Sequence, residues 1–252
     1  MRIGVIGAGG AMGRMVCSSI LAQDDMELVA AVDPRLAGID FTQATGIQVT
    51  GLSISGSIEN LARVRPDAVV DFSVASGAYE NLLWCAKAGI PAVIGTTGLS
   101  SSQLEVIAEA FGASRTGAII ASNFSIGAVL MMRFAEVAAP FFDTAEIVEM
   151  HHARKVDAPS GTSLATAERI RKGKAASSPG VFRADPTERF VIEGARGSDV
   201  GDGIRIHSLR TEGAVAHQEV IFGVLGQSLT IRHDSYDRSS FMPGVLMALR
   251  AV

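Results

Sequence analysis

Short apolar runs alternate with helical segments over the first 120 residues, and this alternation limits the possible folds more than any other feature of the chain. The runs are RIGVIG (2–7), ELVAAVD (27–33), DAVVDFS (67–73), IPAVIGTT (90–97) and GAIIASNFS (117–125). Between them lie GRMVCSSILAQ, SIENLARV, YENLLWCAKAG and SSQLEVIAEAF, which carry apolar residues at helical spacing. Strands apolar on both sides need cover on both faces, so the pattern predicts a Rossmann-type parallel sheet between two helical layers.

The pattern changes after about Asn123. IGAVLMMRFAEVAA (126–139) predicts a long helix, AEIVEMHH (145–152) a strand and SGTSLATAERI (160–170) a second helix. Four strand-like runs follow: RFVIEGARG (189–197), IRIHSLRTEG (204–213), AVAHQEVIFGVLG (214–226) and QSLTIRHDS (227–235). SSFMPGVLMALRAV (239–252) predicts a terminal helix with Pro243 in its first turn. The fold class expected is therefore α/β, a parallel-sheet domain followed by an α+β domain with a mixed sheet. RKGKAASSPG (171–180) reads as a basic, solvated surface loop.

Composition removes several classes of function. Nearly half the 252 residues are hydrophobic, which supports a sizeable core. A net charge of −4 gives no basic face for nucleic acid. The most apolar stretch, AVLMMRFAEVAAPFF (128–142), is broken by Arg133 and Glu136 and reads as an amphipathic helix, not a membrane span. MRIGVIGAGG is interrupted by glycines too early for a signal peptide. Cys17 and Cys85 sit in apolar helical sequence, read as buried inert thiols, and suit a reducing cytoplasm.

The first strand runs into Gly7, Ala8, Gly9, Gly10, Ala11, Met12 and Gly13. The strict G-x-G-x-x-G fingerprint would need glycine at Met12. The physical demand is still met: a tight turn, close backbone approach to a pyrophosphate, and helix N-terminal N–H groups facing the anion. Asp33 ends the second strand about twenty residues on, where a carboxylate accepts hydrogen bonds from ribose hydroxyls. Arg35 could pair with a 2′-phosphate, so NADH and NADPH are both expected as cofactors. Gly95, Thr96 and Thr97 close a later strand, and Ala121, Ser122, Asn123 and Phe124 close the next. Ligands of open parallel sheets lie beyond such carboxyl ends, so these residues are read as lining the nicotinamide and its ribose. Ordinary capping of the following helices accounts for them as well.

The densest titratable stretch is EMHHARKVDAPSGT (149–162). Adjacent strand residues face opposite ways, so His151 and His152 reach one site only if the strand ends there. Lys155 joins them only through a loop. Ser160 is a predicted helix N-cap, and the helix start at Gly161 and Thr162 offers N–H groups to a carboxylate. Histidine near neutrality and a lysine proton donor suit a site that binds a small acid and moves a proton. Metal ligation is a poor match for adjacent histidines with no third ligand at a recognised spacing. His207, His217 and His233 are read as structural, and Arg196 and Arg238 as surface residues.

Together GAGGAMGR, GTTG, ASNFS and HHARKVDAPSGT make a chain that resembles the 4-hydroxy-tetrahydrodipicolinate reductases (dihydrodipicolinate reductases) of bacterial lysine and diaminopimelate biosynthesis. The likeness runs through essentially the whole length, and the His-His-x-x-Lys-x-Asp-x-Pro-Ser-Gly-Thr element is its most specific part. The resemblance implies NAD(P)H-dependent reduction of a cyclic dicarboxylate to tetrahydrodipicolinate and water, by a cytoplasmic homotetramer. It implies a dinucleotide-binding domain over 1–123, a substrate-binding and oligomerisation domain over 124–235, and a C-terminal helix, about 236–252, that packs back on the first. It further implies that His151 is the acid/base group and Lys155 the proton donor, with His152, Ser160, Gly161 and Thr162 on the substrate. Asp33 stands where other members have Glu. Its charge repels a 2′-phosphate and tilts the expectation slightly to NADH. Another nicotinamide oxidoreductase of similar architecture would not need the Ser-Gly-Thr helix start opposite two histidines, and a dinucleotide-sensing regulator without catalysis would tolerate the loss of Lys155.

Overall fold

In the computed structural model, which describes residues 1–252 other than Thr97, Ser122 and Pro179, the chain divides into two units. One comprises Met1–Phe124 with Phe241–Val252, the other Ser125–Ser240. The C-terminal segment belongs to the first unit from Phe241 onward; residues 236–240, expected with it from sequence, belong to the second.

The first unit alternates as its apolar runs require: β1 (Arg2–Ile6), α1 (Ala11–Leu21), β2 (Glu27–Val32), α2 (Phe41–Thr45), β3 (Ile54–Ser55), α3 (Asn60–Val64), β4 (Ala68–Asp71), α4 (Ala75–Ala88), β5 (Ala92–Ile94), α5 (Ser101–Ser114) and β6 (Ala118–Ile120). The six strands form one parallel sheet in the order β3-β2-β1-β4-β5-β6. The order reverses beside β1, the arrangement that opens a ligand crevice at the carboxyl ends of β1 and β4. Strand alternation divides the core. Ile3 and Val5 of β1 and Val70 of β4 pack with Val16, Cys17 and Ile20 of α1 and with Val245 and Leu249 near the C-terminus. Ile6 and Val69 pack on the other face with Leu82 and Cys85 of α4 and Ile107 and Phe111 of α5. Each such side chain contributes about 1.5–3 kcal/mol by leaving water.

In the second unit, α6 (Ile126–Ala138), β7 (Thr144–His152), α7 (Gly161–Lys174), β8 (Ser198–Asp199), β9 (Ile204–Thr211), β10 (Ala216–Val224) and β11 (Gln227–Ser235) precede the terminal α8 (Met242–Ala251) of the first. The five strands form a mixed sheet in the order β11-β10-β7-β9-β8, with β7 and β9 parallel and the other neighbours antiparallel. Ile147, Ile204, Ile206, Val220 and Phe222 form one face and pack on Ala135 of α6 and on Ala167 and Ile170 of α7.

Two expectations fail here. RFVIEGARG is not a strand; the short β8 that follows it, Ser198–Asp199, pairs with β9 instead. Val191 and Ile192 of RFVIEGARG are 83% and 73% exposed. Gly194 and Gly197, with φ of +77° and +66°, turn the chain where a strand would have to continue. Nor is 171–180 wholly a solvated loop. Helix α7 runs through Lys174, whose ammonium is buried. It donates to the Phe142 carbonyl at 2.7 Å and lies 5.1 Å from the centre of the Phe182 ring. A carbonyl dipole and a π face replace the water such a cation loses. Among the described residues, no helix is long and apolar enough to cross a membrane.

Cys17 and Cys85 lie in different core clusters on opposite faces of the first sheet. Burial pushes both thiols up to about 12. The thiolate is the reactive form, so the folded protein at pH 8 should resist iodoacetamide at both positions, and both should alkylate after denaturation. Intact-mass spectrometry reads the count, and rapid labelling of the folded chain would show that these cores open far more readily than their packing indicates.

Candidate active site

The glycine loop is built around close backbone contacts. A Cβ on Gly13 would lie 2.0 Å from the Gly7 carbonyl oxygen, and one on Gly9 would lie 2.3 Å from Leu36 and 2.7 Å from the Asp33 carboxylate. Gly7 itself has φ +76°. Gly10 caps α1 with its N–H bonded to Gly7 O at 3.1 Å, and Ala11 and Met12 begin the helix. Ala8 is fully buried. Met12 is thus accommodated because the glycines this turn needs are at 9 and 13, not at 12.

Asp33 is 2% exposed. Its carboxylate accepts from Gly9 N at 3.0 Å and Arg35 N at 3.1 Å, and the Arg35 guanidinium lies at 3.3 Å. Burial pushes this carboxyl up, but the Arg35 side chain and the two N–H groups outweigh it and hold it below the usual carboxylate range. A cavity of about 660 Å³ opens here, lined by Gly7, Gly10, Asp33, Arg35, Ser73 and Asn81 among others. The loop without room for side chains, the helix N-terminus and the carboxylate beside the cavity fit a dinucleotide.

The next strand ends adjoin it. Asp71, buried at the end of β4, accepts from Ser73 N at 2.7 Å and Asn81 Nδ2 at 2.8 Å. Thr96 Oγ1 donates to Ser73 O at 3.2 Å. Gly95 passes the Phe72 ring so closely that a Cβ would sit 2.1 Å from it. Ala121 N–H donates to Ile94 O at 3.2 Å, and Phe124 packs on Phe72 with ring centres 6.1 Å apart. Thr97 and Ser122, expected to line the same ligand, lie outside the described residues.

In the second unit, strand β7 runs through both histidines; His151 pairs with Arg210 and His152 with Thr211 of β9. The strand ends at His152 and the chain turns from Ala153, as the sequence suggests, but the ladder with β9 holds both histidines to the last pair. The pleat therefore separates them. His151 shares its face with Glu149, Nδ1 to Oε2 at 2.5 Å. His152 is not brought to that cluster, and its buried Nδ1 has no hydrogen-bond partner among the described residues. Lys155 follows in the turn, its N–H bonded to His152 O at 3.0 Å and its ammonium 2.7 Å from both Asp157 oxygens. That bond holds the Asp157 carboxyl below its usual range. Ser160 caps α7: its Oγ accepts from Ser163 N at 3.1 Å. A Cβ on Gly161 would meet nothing within 4 Å, so Gly161 itself faces open space, beside the buried Ser160.

Sequence reasoning missed Glu149 and Arg210 as parts of this cluster. Glu149 is fully buried. Arg210 grips both its oxygens, at 3.0 and 2.9 Å, and also donates to Asp157 O at 2.7 Å. Burial pushes Glu149 up, but hydrogen bonds from Arg210, Ser208 and His151 prevail and hold it below the usual carboxylate range. Burial lowers His151, more than the Glu149 bond raises it, which favours the neutral imidazole. The E-x-H spacing in a strand signalled that 149 and 151 share a face. The other three histidines are partnered as structural residues: His207 with Glu146 at 2.5 Å, His217 with Asp234 at 2.6 Å and His233 with Ser125 at 3.0 Å. Arg196 pairs with Glu146 and with Asp185, the latter at 3.2 Å.

Comparison with known proteins covers both units. Residues 1–124 match the family model of the dihydrodipicolinate reductase N-terminus and 127–252 that of its C-terminus. A 4-hydroxy-tetrahydrodipicolinate reductase of Desulfitobacterium hafniense is 46% identical, over 99% of this chain and 92% of its own. One from Nocardia farcinica is also 46% identical, over 100% and 93%. The solved structure of a dipicolinate-bound dihydrodipicolinate reductase from Paenisporosarcina sp. TG-14 superposes with a TM-score of 0.85 at 38% identity, over 99% and 93%.

Gly13→Ala forces the loop and α1 apart. It should lower unfolding free energy by about 1–3 kcal/mol and weaken dinucleotide binding by about tenfold or more. A urea melt and a calorimetric NADH titration read the two effects, and unchanged affinity would remove this turn from the dinucleotide site.

Proposed function

The chain belongs to the dihydrodipicolinate reductase family, and from that premise we propose that it reduces 4-hydroxy-tetrahydrodipicolinate to tetrahydrodipicolinate and water with NADH or NADPH. The observation that carries the reading is the pairing of a buried Glu149–His151 contact with the Lys155–Asp157 turn, immediately ahead of the Ser160–Thr162 helix start. The reaction needs a carboxylate-binding surface and a proton source, and this segment offers both.

The bound cofactor supplies the hydride. Gly7, Ala8, Gly9, Gly10, Ala11 and Met12 would hold its pyrophosphate, and Asp33 would accept from the adenosine ribose hydroxyls. Gly95, Thr96, Ala121, Asn123 and Phe124 would line the nicotinamide side. Once the ring hydroxyl has left with a neighbouring ring hydrogen as water, hydride arriving at the unsaturated ring carbon leaves negative charge on the substrate, which one proton then quenches. Lys155 stabilises that charge and donates a proton from Nζ, and Asp157 orients it. His151, neutral and tied through Nδ1, presents Nε2 as the acid/base atom. The N–H groups of Gly161 and Thr162, at the start of α7, bind a substrate carboxylate. Ser160 acts by capping that helix.

The cofactor preference follows from the second strand's end. Asp33 is a buried carboxylate held ionised by its donors, which opposes a 2′-phosphate and leans the enzyme to NADH. A homotetramer assembled through the second-unit sheets accords with a sheet face that α6 and α7 do not cover, where Val148, Met150, Ile221 and Leu209 lie by strand alternation. A cytoplasmic location suits two reduced, buried thiols.

The test is loss of reduced-nicotinamide absorbance with NADH and NADPH separately, the substrate made in place from pyruvate and aspartate semialdehyde. Oxidation that depends on the condensation product, faster with NADH, is expected. Lys155→Ala should lower kcat by about 10²–10⁴ while NADH affinity stays within about twofold. A wild-type protein that binds NADH but oxidises neither cofactor would leave the regulator reading in its place. Asp33→Ser should raise the NADPH-to-NADH rate ratio by removing the repelling charge, and an unchanged ratio would mean that Asp33 does not select the cofactor.

A further inference from the structure

The reading above assigns His151 and Lys155 to the chemistry but leaves unexplained a carboxylate buried to zero exposure beside them. Glu149 accepts from His151 Nδ1 at 2.5 Å and from both Arg210 nitrogens at 3.0 and 2.9 Å. Arg210 stands opposite His151 in the parallel β7–β9 register, and its guanidinium also donates to the Asp157 carbonyl at 2.7 Å. Asp157 in turn holds the Lys155 ammonium. A buried ion pair adds little net stability once desolvation is counted, so a fold could dispense with this one. A general acid/base, by contrast, must keep one tautomer and one ring orientation, and a carboxylate on the second nitrogen supplies both.

We propose that Glu149 and Arg210 are positioning residues of this enzyme: Glu149 sets the Nδ1–H tautomer of His151, and Arg210 ties that carboxylate to the loop bearing Lys155. The inference rests on His151 and Lys155 carrying the proton transfers. The charged groups that face His151 are Glu149 on its own strand, Arg210 on β9 and Lys155 on the following loop, with Asp157 on Lys155. Glu149 raises the imidazole against burial, while Lys155 and Arg210 lower it. Removing the carboxylate charge therefore lowers His151 further and moves the acid limb of the rate profile to lower pH.

Glu149→Gln keeps shape and removes that charge. In the full-length protein labelled with 15N-histidine, wild type should show His151 protonated at Nδ1, with the resonance assigned by its loss in His151→Gln. Glu149→Gln should shift it toward the Nε2–H form. Its kcat should fall by about tenfold or more, with KM for the dicarboxylate and NADH affinity within about threefold of wild type, and the acid limb should move down. An unchanged tautomer, kcat and pH profile would falsify the proposal. If Glu149→Gln does not fold, Arg210→Lys, which keeps the positive charge and loses the two-pronged grip, carries the test: kcat should fall at constant NADH affinity, and a kcat within about twofold of wild type overturns the role. His151→Ala separates this inference from its premise. An inactive His151→Ala beside a fully active Glu149→Gln overturns only the positioning role, whereas an active His151→Ala overturns both.

Discussion

A carboxylate with no exposed surface must be surrounded by donors, and in the second unit much of the local geometry follows from meeting that demand at Glu149. The demand falls on three elements. Strand β7 supplies His151 two residues on, on the same face. Strand β9 supplies Arg210, which reaches Glu149 only because β7 and β9 run parallel in a register that sets Arg210 opposite His151. The turn after β7 supplies the Asp157 carbonyl, which accepts a further N–H of the guanidinium. A slip of one residue in that register would turn Arg210 to the other face and leave Glu149 short of a cation. The hydrophobic alternation of Ile147 with Ile206 therefore protects the polar network as well as the core.

The first unit uses the same device. Asp33 and Asp71 both stand at the carboxyl ends of parallel strands, both are nearly fully buried, and both are satisfied by backbone N–H groups of the turn that follows. Asp33 also takes the N–H of Gly9 from the neighbouring turn. Each carboxylate thereby shapes a turn that faces the ligand crevice. The small residues around them follow from the same crowding: a side chain at Gly9 would strike Asp33, and one at Gly95 would strike Phe72.

What could be read in the sequence was what is local. The parallel sheet rests on apolar runs and glycine stops that each lie within ten residues, and the N-cap at Ser160 and the loop around Gly7 are equally short-range. Strand β3 has only two residues and gives no periodicity to detect. RFVIEGARG has strand composition, but composition cannot show that no neighbour pairs with it. Lys174 looked solvated because its partners, Phe142 and Phe182, lie 32 residues before it and eight after. The Glu149–Arg210 pair spans 61 residues and exists only through the β7–β9 register. In EMHHARKVDAPSGT the residue types announced a site, while the continuing ladder, visible only in three dimensions, separated His152 from His151 and gave His151 its carboxylate.

The two charges near the adenosine side carry unequal weight in cofactor choice. Arg35 is 77% exposed and its pair with Asp33 is long. An exposed pair of this kind contributes little and is easily exchanged for another anion. Turning Arg35 from Asp33 to a 2′-phosphate would therefore lose almost nothing by itself. Asp33 is different. Its carboxylate is 2% exposed and holds the Gly9 N–H that shapes the phosphate-binding turn, so it cannot swing away when a second anion approaches. Repulsion between a fixed buried carboxylate and a 2′-phosphate is screened little by water or salt. On the proposed reading, discrimination against NADPH would rest on Asp33, with the exposed Arg35 as the group that offsets it.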